Sequence, residues 1–495
     1  MSTAAALLRA QITDIHAQIT TLRQQIVFLE GQQAGLHARL METKYPILTL
    51  PEDVTIYIWA FVLGSQESNL DSRTLPSLTL SSVCRTWRQL ALSTTMLWTD
   101  MTVSWASLSS AQCNTLLWTF LGRCGSAKPL DVHFHFIEED TSSLAEAFAT
   151  LSSGADRLRK IRLSNDQLFS SLDCLPELLP MLETLDLGTF LPRAHLGQVK
   201  SRFTPRLRSL NTISAKAPFT LGLSLDNLAK LVISSSDPSV QQVVALLRHT
   251  PRLEILHLKI FNDIARASDI PCPLSCLREL RCTSDVSTHV LKYLTLPALQ
   301  DVTFSYIVDR GSRAIEDCML RSKIMSLRCL TLSHIRFMFI RSIVASMPPM
   351  LAKLTLADLP WDYLETREFC QEVRRGAWFP GLAALVVDRW YLENPSLETV
   401  RLWVETVITR WGSAVPDSES WSSPESPPDG NESDSDESSK TPQPAAAAQL
   451  QSFQLGILQE DADSDLRALL KPLNQVHKQG LDLKISLNAE KLSDQ

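Results

Sequence analysis

Glycine is scarce in this chain, with 16 in 495 residues. Loops that wrap a phosphate need glycine for close backbone approach and for left-handed turns. None of the Gly-rich phosphate-loop, nucleophile-elbow or zincin signatures is present. No apolar stretch is long enough to cross a bilayer. The N-terminus "MSTAAALLRAQITDIH" has no charged region leading into an apolar run, so it does not read as a secretory signal. Ten cysteines are scattered without a spacing framework. That pattern reads as reduced thiols, in the cytoplasm, the nucleus or both. An excess of positive charge is also missing: the net charge is −7. Residues 413–448 hold eight acids (Asp417, Glu419, Glu425, Asp429, Glu432, Asp434, Asp436, Glu437) against one base, Lys440. That segment carries the whole imbalance, and the rest of the chain is neutral. The sequence therefore predicts neither nucleic acid nor membrane as a partner.

What is present begins with a heptad. From Ile12, the a series is Ile12, Ile19, Ile26, Gln33 and Leu40, and the d series is Ile15, Leu22, Leu29 and Leu36. Isoleucine at a with leucine at d suits a parallel two-stranded coiled coil. Gln33, polar at an a position, would fix the register. The pattern predicts an amphipathic helix over residues 12–40. Two uses remain open: a homodimer seam, or a stripe packed on the same chain.

Residues 46–105 read as short helices. Pro51 suits a first helical turn, and Glu52 and Asp53 follow where the helix dipole favours acids. Leu50, Val54, Ile58 and Phe61 form one stripe, and Gly64 stops it. A second helix is predicted to run through Leu80, Val83, Cys84, Trp87, Leu90 and Ala91, all on one face. Cys84 has no His or acid close in sequence to activate it, so it reads as a small apolar residue within that stripe.

Taken together, Leu50-Pro51-Glu52, Ile58, Val83-Cys84-Arg85-x-Trp87 and Leu97-Trp98 resemble the F-box motif in order and rough spacing. The stretch from Gly64 to Pro76 is longer and richer in serine than the plain pattern. The resemblance implies three short helices that dock on a Skp-type adaptor and, through it, a cullin. Leu50, Pro51, Val54 and Ile58 would supply part of the docking face. Val83, Cys84 and Trp87 would pack the motif or touch the adaptor. A helical cap on the next domain is the other reading.

Beyond residue 106, L-x-x-L-x-L recurs: "LRKIRL" (158), "LETLDL" (182), "LRSLNT" (207), "LAKLVI" (228), "LEILHL" (253), "LRELRC" (277), "LQDVTF" (299), "LRCLTL" (327), "LAKLTL" (351) and "LAALVV" (382). Most intervals lie within or near the leucine-rich-repeat range, although the Asn that often follows the strand is absent from most units. "PLDVHFHF" (129–136) would be an opening strand and "LQSFQL" (450) a late one. The leucines should point into a shared core, and the alternate residues outward onto a concave face. Arg162, Asp186, Asn211, His257 and Arg281 are the outward residues proposed to bind a target protein. Their mixed signs suit a protein surface better than a polyanion.

The sequence thus predicts an α/β protein: a leucine-rich-repeat solenoid, with parallel short strands inside and helices outside. A three-helix F-box and an N-terminal coiled-coil helix precede it. The divisions are 1–45 coiled-coil helix, 46–105 F-box, 106–412 solenoid, 413–448 acidic disordered insert and 449–495 C-terminal repeat or cap. Ser433, Ser435 and Ser438 lie among acids, where a phosphate would add charge. Cys272, Cys276 and Cys282 lack paired-ligand spacing, and "HFH" (133–135) offers two histidines without a third ligand. No metal, cofactor or enzymatic activity is expected. The resemblance implies the substrate-recognition subunit of a Skp-cullin-F-box ubiquitin ligase. The alternative is a non-ligase scaffold that self-associates through its coiled coil.

Overall fold

The computed structural model describes residues 2–42, 50–64, 76–105, 108–136, 141–165, 175–188, 202–235, 240–260, 271–390, 397–411, 450–458 and 464–488. The acidic segment 413–448 and most of the Ser-rich stretch before Pro76 lie outside them. The chain divides into two compact units, Met1–Trp98 and Thr99–Gln495.

The first unit is helical. Helix α1 spans Ser2–Glu42, α2 Glu52–Gly64, α3 Pro76–Val83 and α4 Arg85–Ser93, and a 3-10 turn closes it at Thr95–Trp98. Pro51 supplies the first carbonyl of α2, which accepts the Thr55 N–H at 3.0 Å. The predicted second helix is in fact two. Cys84 breaks it with extended dihedrals (φ −154°, ψ 173°), and its sulfur accepts the Trp87 N–H at 3.4 Å. Cys84 is therefore the N-cap of α4, the role usually taken by Ser, Thr, Asp or Asn. The Arg88 guanidinium bonds the Ser81 carbonyl at 2.8 Å and ties α3 to α4. Trp98 is fully buried and donates its indole N–H to the Ala91 carbonyl at 2.8 Å.

The second unit is α/β. Its strands are β1 Asp100–Ser104, β2 Leu130–Phe136, β3 Leu158–Asn165, β4 Thr184–Asp186, β5 Ser209–Thr212, β6 Lys230–Ser235, β7 Ile255–Ile260, β8 Cys272–Pro273, β9 Glu279–Cys282, β10 Leu294–Thr295, β11 Asp301–Ser305, β12 Cys329–Ser333, β13 Lys353–Ala357, β14 Ala384–Trp390, β15 Ser452–Leu458 and β16 Asp482–Asn488. Fourteen of them form one parallel sheet in chain order; β8 and β10 pair separately. Parallel neighbours need a crossover between them. Helices supply many of these: α5 Ser110–Arg123, α6 Thr141–Leu151, α7 Ala217–Thr220, α8 Val240–Arg248, α9 Asp285–Thr288, α10 Asp309–Ser322, α11 Phe337–Ala345, α12 Tyr363–Arg374, α13 Leu397–Trp411 and α14 Ser464–Lys478. The sequential order is compatible with a solenoid-like α/β fold.

The sheet begins earlier than the sequence division at 105/106. β1 lies inside 46–105 yet pairs with β2, so "PLDVHFHF" is the second strand and not the first. "LQSFQL" forms β15 against β14, and β16 follows it. From Leu182 to Leu382 the connection is made the same way at each strand. The residue after the leading leucine (Glu183, Arg208, Ala229, Glu254, Arg278, Gln300, Arg328, Ala352, Ala383) accepts two successive N–H groups of the next strand on one carbonyl. That bond pattern locks the register. The leading leucines from Leu158 to Leu382 are all fully buried. Behind them runs a second row, Met101, Val132, Ile161, Leu185, Leu210, Leu231, Leu256, Leu280, Val302, Leu330, Leu354, Leu385, Phe453 and Leu483, aligned strand to strand. Only at the β16 edge does this row become half-buried, and there Asp482 and Lys484 stand exposed. Charged edges of this kind discourage pairing with a further strand.

Candidate functional site

Two surfaces answer to the sequence expectations, one in each unit. In the first unit, α2 is apolar around most of its circumference, and only part of that is covered. Thr55 and Trp59, one turn apart, are buried. The stripe Leu50, Val54 and Ile58 is 38–39 % exposed, and Tyr57 and Phe61 are more so. Pro51 and Val83 are exposed as well. Trp87 is half-buried, edge-on to Trp59 with ring centroids 5.2 Å apart. Of the seven residues expected to serve docking, five therefore present apolar surface. Trp87 packs the helices together, and Cys84 holds the turn between α3 and α4. Tyr57 and Phe61 extend the exposed surface. A helix apolar on a solvent-facing side marks an interaction surface.

Helix α1 shows the same condition over a longer span. Its seam residues Ile12, Ile15, Ile19, Leu22, Ile26, Leu29, Leu36 and Leu40 are 40–63 % exposed. The stripe stands exposed along the helix.

In the second unit, the five residues expected to bind a target lie in one continuous row. The register runs Thr102, His133, Arg162, Asp186, Asn211, Val232, His257, Arg281, Thr303, Thr331, Thr355, Val386, Gln454 and Lys484. What the sequence did not show is that these five are largely engaged with one another or with close neighbours. Asp186 Oδ1 accepts Asn211 Nδ2 at 2.9 Å and the Gly188 N–H at 3.1 Å. Arg162 Nε stands 3.3 Å from Asp186 Oδ2, an ion-pair contact without hydrogen-bond alignment. Glu279 Oε1 takes both His257 Nε2 at 3.1 Å and Arg281 Nε at 2.7 Å. Burial alone would raise the Glu279 carboxyl, but His257 and Arg281 overcome that and hold it below the usual range. Burial holds the His257 imidazole below its usual value, against the pull of Glu279. Further along, Arg159 closes on Asp131 at 2.7 and 2.9 Å.

His133 is the most enclosed of the row. Its Nε2 meets Ser164 Oγ at 2.8 Å, and burial, reinforced by Arg162, His135 and Lys160, lowers its pKa to about 4. His135 lies apart from it in pairing, against Ser104 Oγ at 3.3 Å. Of the three clustered cysteines, Cys272 and Cys282 are buried and Cys276 is exposed. Burial drives the Cys282 thiol far above its ordinary pKa, so it stays protonated as core. No group of three or more His, Cys, Asp or Glu side chains with metal-holding geometry occurs among the described residues. Nor is any described helix long and apolar enough to cross a membrane.

What fold and surfaces define is an α/β chain with a long, sequentially ordered parallel sheet and a helical N-terminal unit that leaves apolar side chains exposed. Comparison with protein-family models gives no match, and comparison with curated proteins gives none either.

Proposed function

We propose that this protein is the substrate receptor of a Skp-cullin-F-box ubiquitin ligase. The observation that carries the reading is the exposed stripe Leu50, Pro51, Val54 and Ile58, with Val83, inside a segment that resembles the F-box from Leu50 to Trp98. Three short helices at Glu52–Gly64, Pro76–Val83 and Arg85–Ser93 support it. The equivalence of the L-x-x-L-x-L strands supports reading the second unit as a leucine-rich-repeat array. In this scheme α2 and its neighbours dock a Skp-type adaptor, which brings a cullin, and the sheet face holds a target protein. The receptor does no chemistry of its own. It holds a target lysine at high effective concentration near the charged ubiquitin carrier. The expected compartments are the cytoplasm and the nucleus. Co-purification with a Skp-type adaptor tests the reading. The Leu50→Ala, Pro51→Ala double variant should lose the adaptor while keeping its thermal melt. Undiminished adaptor binding by that variant sinks the docking assignment.

A second reading, a self-associating scaffold, is favoured by the exposed seam of α1. In a parallel, in-register pair Gln33 meets its own copy and the two amides satisfy each other. In an antiparallel pair each Gln33 would be buried against an apolar d residue. The g column is uncharged at Gln11, Gln18, Gln25 and Gln32, with Arg39 its one charge, so no like charges meet across the parallel seam over residues 11–37. Sedimentation of the full chain should show a dimer that Ile19→Asp with Ile26→Asp makes monomeric. A monomeric parent protein ends this reading.

A further inference from the structure

The face of the sheet is not uniform. Up to β9 most of its charges are closed on one another, with Lys160 and Lys230 the exceptions that have no ion pair among the described residues. Across β11, β12 and β13 the charges are not. Asp301, Cys329 and Lys353 align in one outward row, and Thr303, Thr331 and Thr355 in the next. With Glu279 and Arg281 they line a cavity of about 240 Å³. Burial pushes the Cys329 thiol up to about 11, with the neighbouring Asp301 carboxylate adding to the rise. Neither Asp301 nor Lys353 has an ion pair among the described residues. One negative and one positive charge thus stand two strands apart, about 10 Å, over a floor of threonine hydroxyls.

The C-terminal ends of the same three strands carry backbone strain. Tyr306, His334 and Asp358 each follow a strand directly and take left-handed dihedrals (φ 56°, 51° and 49°). Each still donates its N–H to the neighbouring strand, at 3.1–3.2 Å, before the chain turns away. Non-glycine residues rarely adopt these dihedrals, and those held this way gather at functional sites. Tyr306 stacks on His334 with centroids 4.2 Å apart and remains 55 % exposed. His334 Nδ1 stands 3.8 Å from Asp358 Oδ2, while Asp358 Oδ1 is buried without a hydrogen-bond partner. Val308, just before α10, Met338, at the start of α11, and Leu364, at the start of α12, are exposed apolar residues.

We propose that residues 301–364 are where the sheet takes its partner, and that the partner is a mixed-charge segment of another protein. Its basic side chain pairs with Asp301 and its acidic one with Lys353. Its main chain lies over Thr303, Thr331 and Thr355, and an apolar neighbour reaches the Tyr306 rim. The cavity is smaller than drug-sized ligand pockets usually are, and the exposed Tyr306 at the C-terminal end of β11 suits a chain that extends past it. The proposal rests on reading the second unit as a target-binding array and moves the binding site away from Arg162, Asp186 and Asn211.

The test uses the purified full-length chain and fluorescent nine-residue peptides. One set carries a Lys and a Glu two to four residues apart, in both polarities. Control sets are all-acidic and all-basic. Anisotropy should show binding by the mixed-charge set in one preferred polarity and not by the controls. Asp301→Asn and Lys353→Gln should each weaken that binding at least tenfold, and Arg162→Gln should leave it unchanged. Asp301→Lys combined with Lys353→Asp should reverse the preferred polarity. Adaptor co-purification from the same preparations keeps the two readings separate. Retained adaptor with no charge-dependent peptide binding overturns this proposal alone. Charge-dependent binding without adaptor leaves it standing and removes the ligase reading. Peptide binding indifferent to both single variants, or abolished by millimolar free lysine or glutamate, also overturns it.

Discussion

The two units treat similar residues in opposite ways. Beyond Thr99, leucines spaced as L-x-x-L-x-L are sealed, with the leading ones from Leu158 to Leu382 fully buried. Before Trp98, isoleucines and leucines with an equally regular helical spacing stand in solvent on α1 and α2. Apolar periodicity states which residues share a face. It does not state what covers the face. In the sheet, the covering group is the next strand, about 4.8 Å away, and the crossover behind it. On α1 and α2 the apolar faces stand exposed. One unit turns its hydrophobic free energy to its own stability, and the other leaves part of it unused.

The sharpest way to probe that difference is to delete the same apolar volume on both sides. Leu256→Ala opens a cavity in the middle of the sheet, between Leu231 and Leu280 in the aligned inner row. It should cost about 3 kcal/mol, within the range for buried Leu→Ala changes. Ile58→Ala removes a side chain that is 39 % exposed and should cost less than about 1.5 kcal/mol. Urea denaturation followed by circular dichroism reads both. Comparable losses for the two variants would erase the distinction between the units.

Acid offers a second probe, directed at the sheet unit. His133 is held neutral in the fold, with its pKa lowered from 6.5 to about 4 by burial first and by neighbouring cations second. The unfolded chain therefore binds this proton more readily. The stabilising effect of the neutral ring is complete above pH 6.5 and is lost progressively as pH falls toward 4. By linkage the loss between pH 7 and pH 5 is about 2 kcal/mol. His133→Gln, which cannot take up a proton, should flatten the pH dependence of the melting temperature in that window. An unchanged slope in the variant would show that the ring is not enclosed as the structure has it.

A third probe uses the turn after β4. Gly188 takes φ 52°, and a Cβ there would collide with the Leu163 carbonyl oxygen. Gly188→Ala should cost about 1–3 kcal/mol, although Tyr306, His334 and Asp358 carry side chains in the same conformation. A neutral outcome by thermal melt would mean the sheet relaxes there without penalty.

The strand rows were legible because side chains alternate along a strand, and the recurring leucines set the register from Leu158 to Leu382. β1 was missed because "DMTVS" has no leading leucine, and that put the boundary at 105/106 instead of before Asp100. β16 was likewise not marked, since "LDLKISLN" shortens the spacing after Leu481. In the sheet face, sequence placed Arg162, Asp186, Asn211, His257 and Arg281 correctly on one row. It gave no sign that Asp186 and Glu279 would engage the others, since that depends on side-chain reach across strands far apart in the chain. The left-handed residues at Tyr306, His334 and Asp358 were equally hidden. None is glycine, and one sequence does not reveal strain that its neighbours impose.

The smallest effect separates two accounts of one residue. Leu80, Val83, Cys84, Trp87, Leu90 and Ala91 keep helical spacing across Cys84, so nothing in the pattern signals a break there. The structure nevertheless makes Cys84 a cap, with its sulfur 3.4 Å from the Trp87 N–H. If Cys84 served only as an apolar filler, Ala would replace it better than Ser. As a cap, the order inverts: Ser should hold the bond or improve it, because a hydroxyl is a stronger acceptor than a thiol. Ala should lose about 0.5 kcal/mol, the low end for removal of an N-cap. Such a difference is small against a 495-residue chain, so the measurement belongs at the bond itself. Hydrogen exchange at the Trp87 amide should quicken in Cys84→Ala and stay slow in Cys84→Ser. The opposite order would return Cys84 to the role its spacing suggests, and would leave α3 and α4 as one helix interrupted without cause.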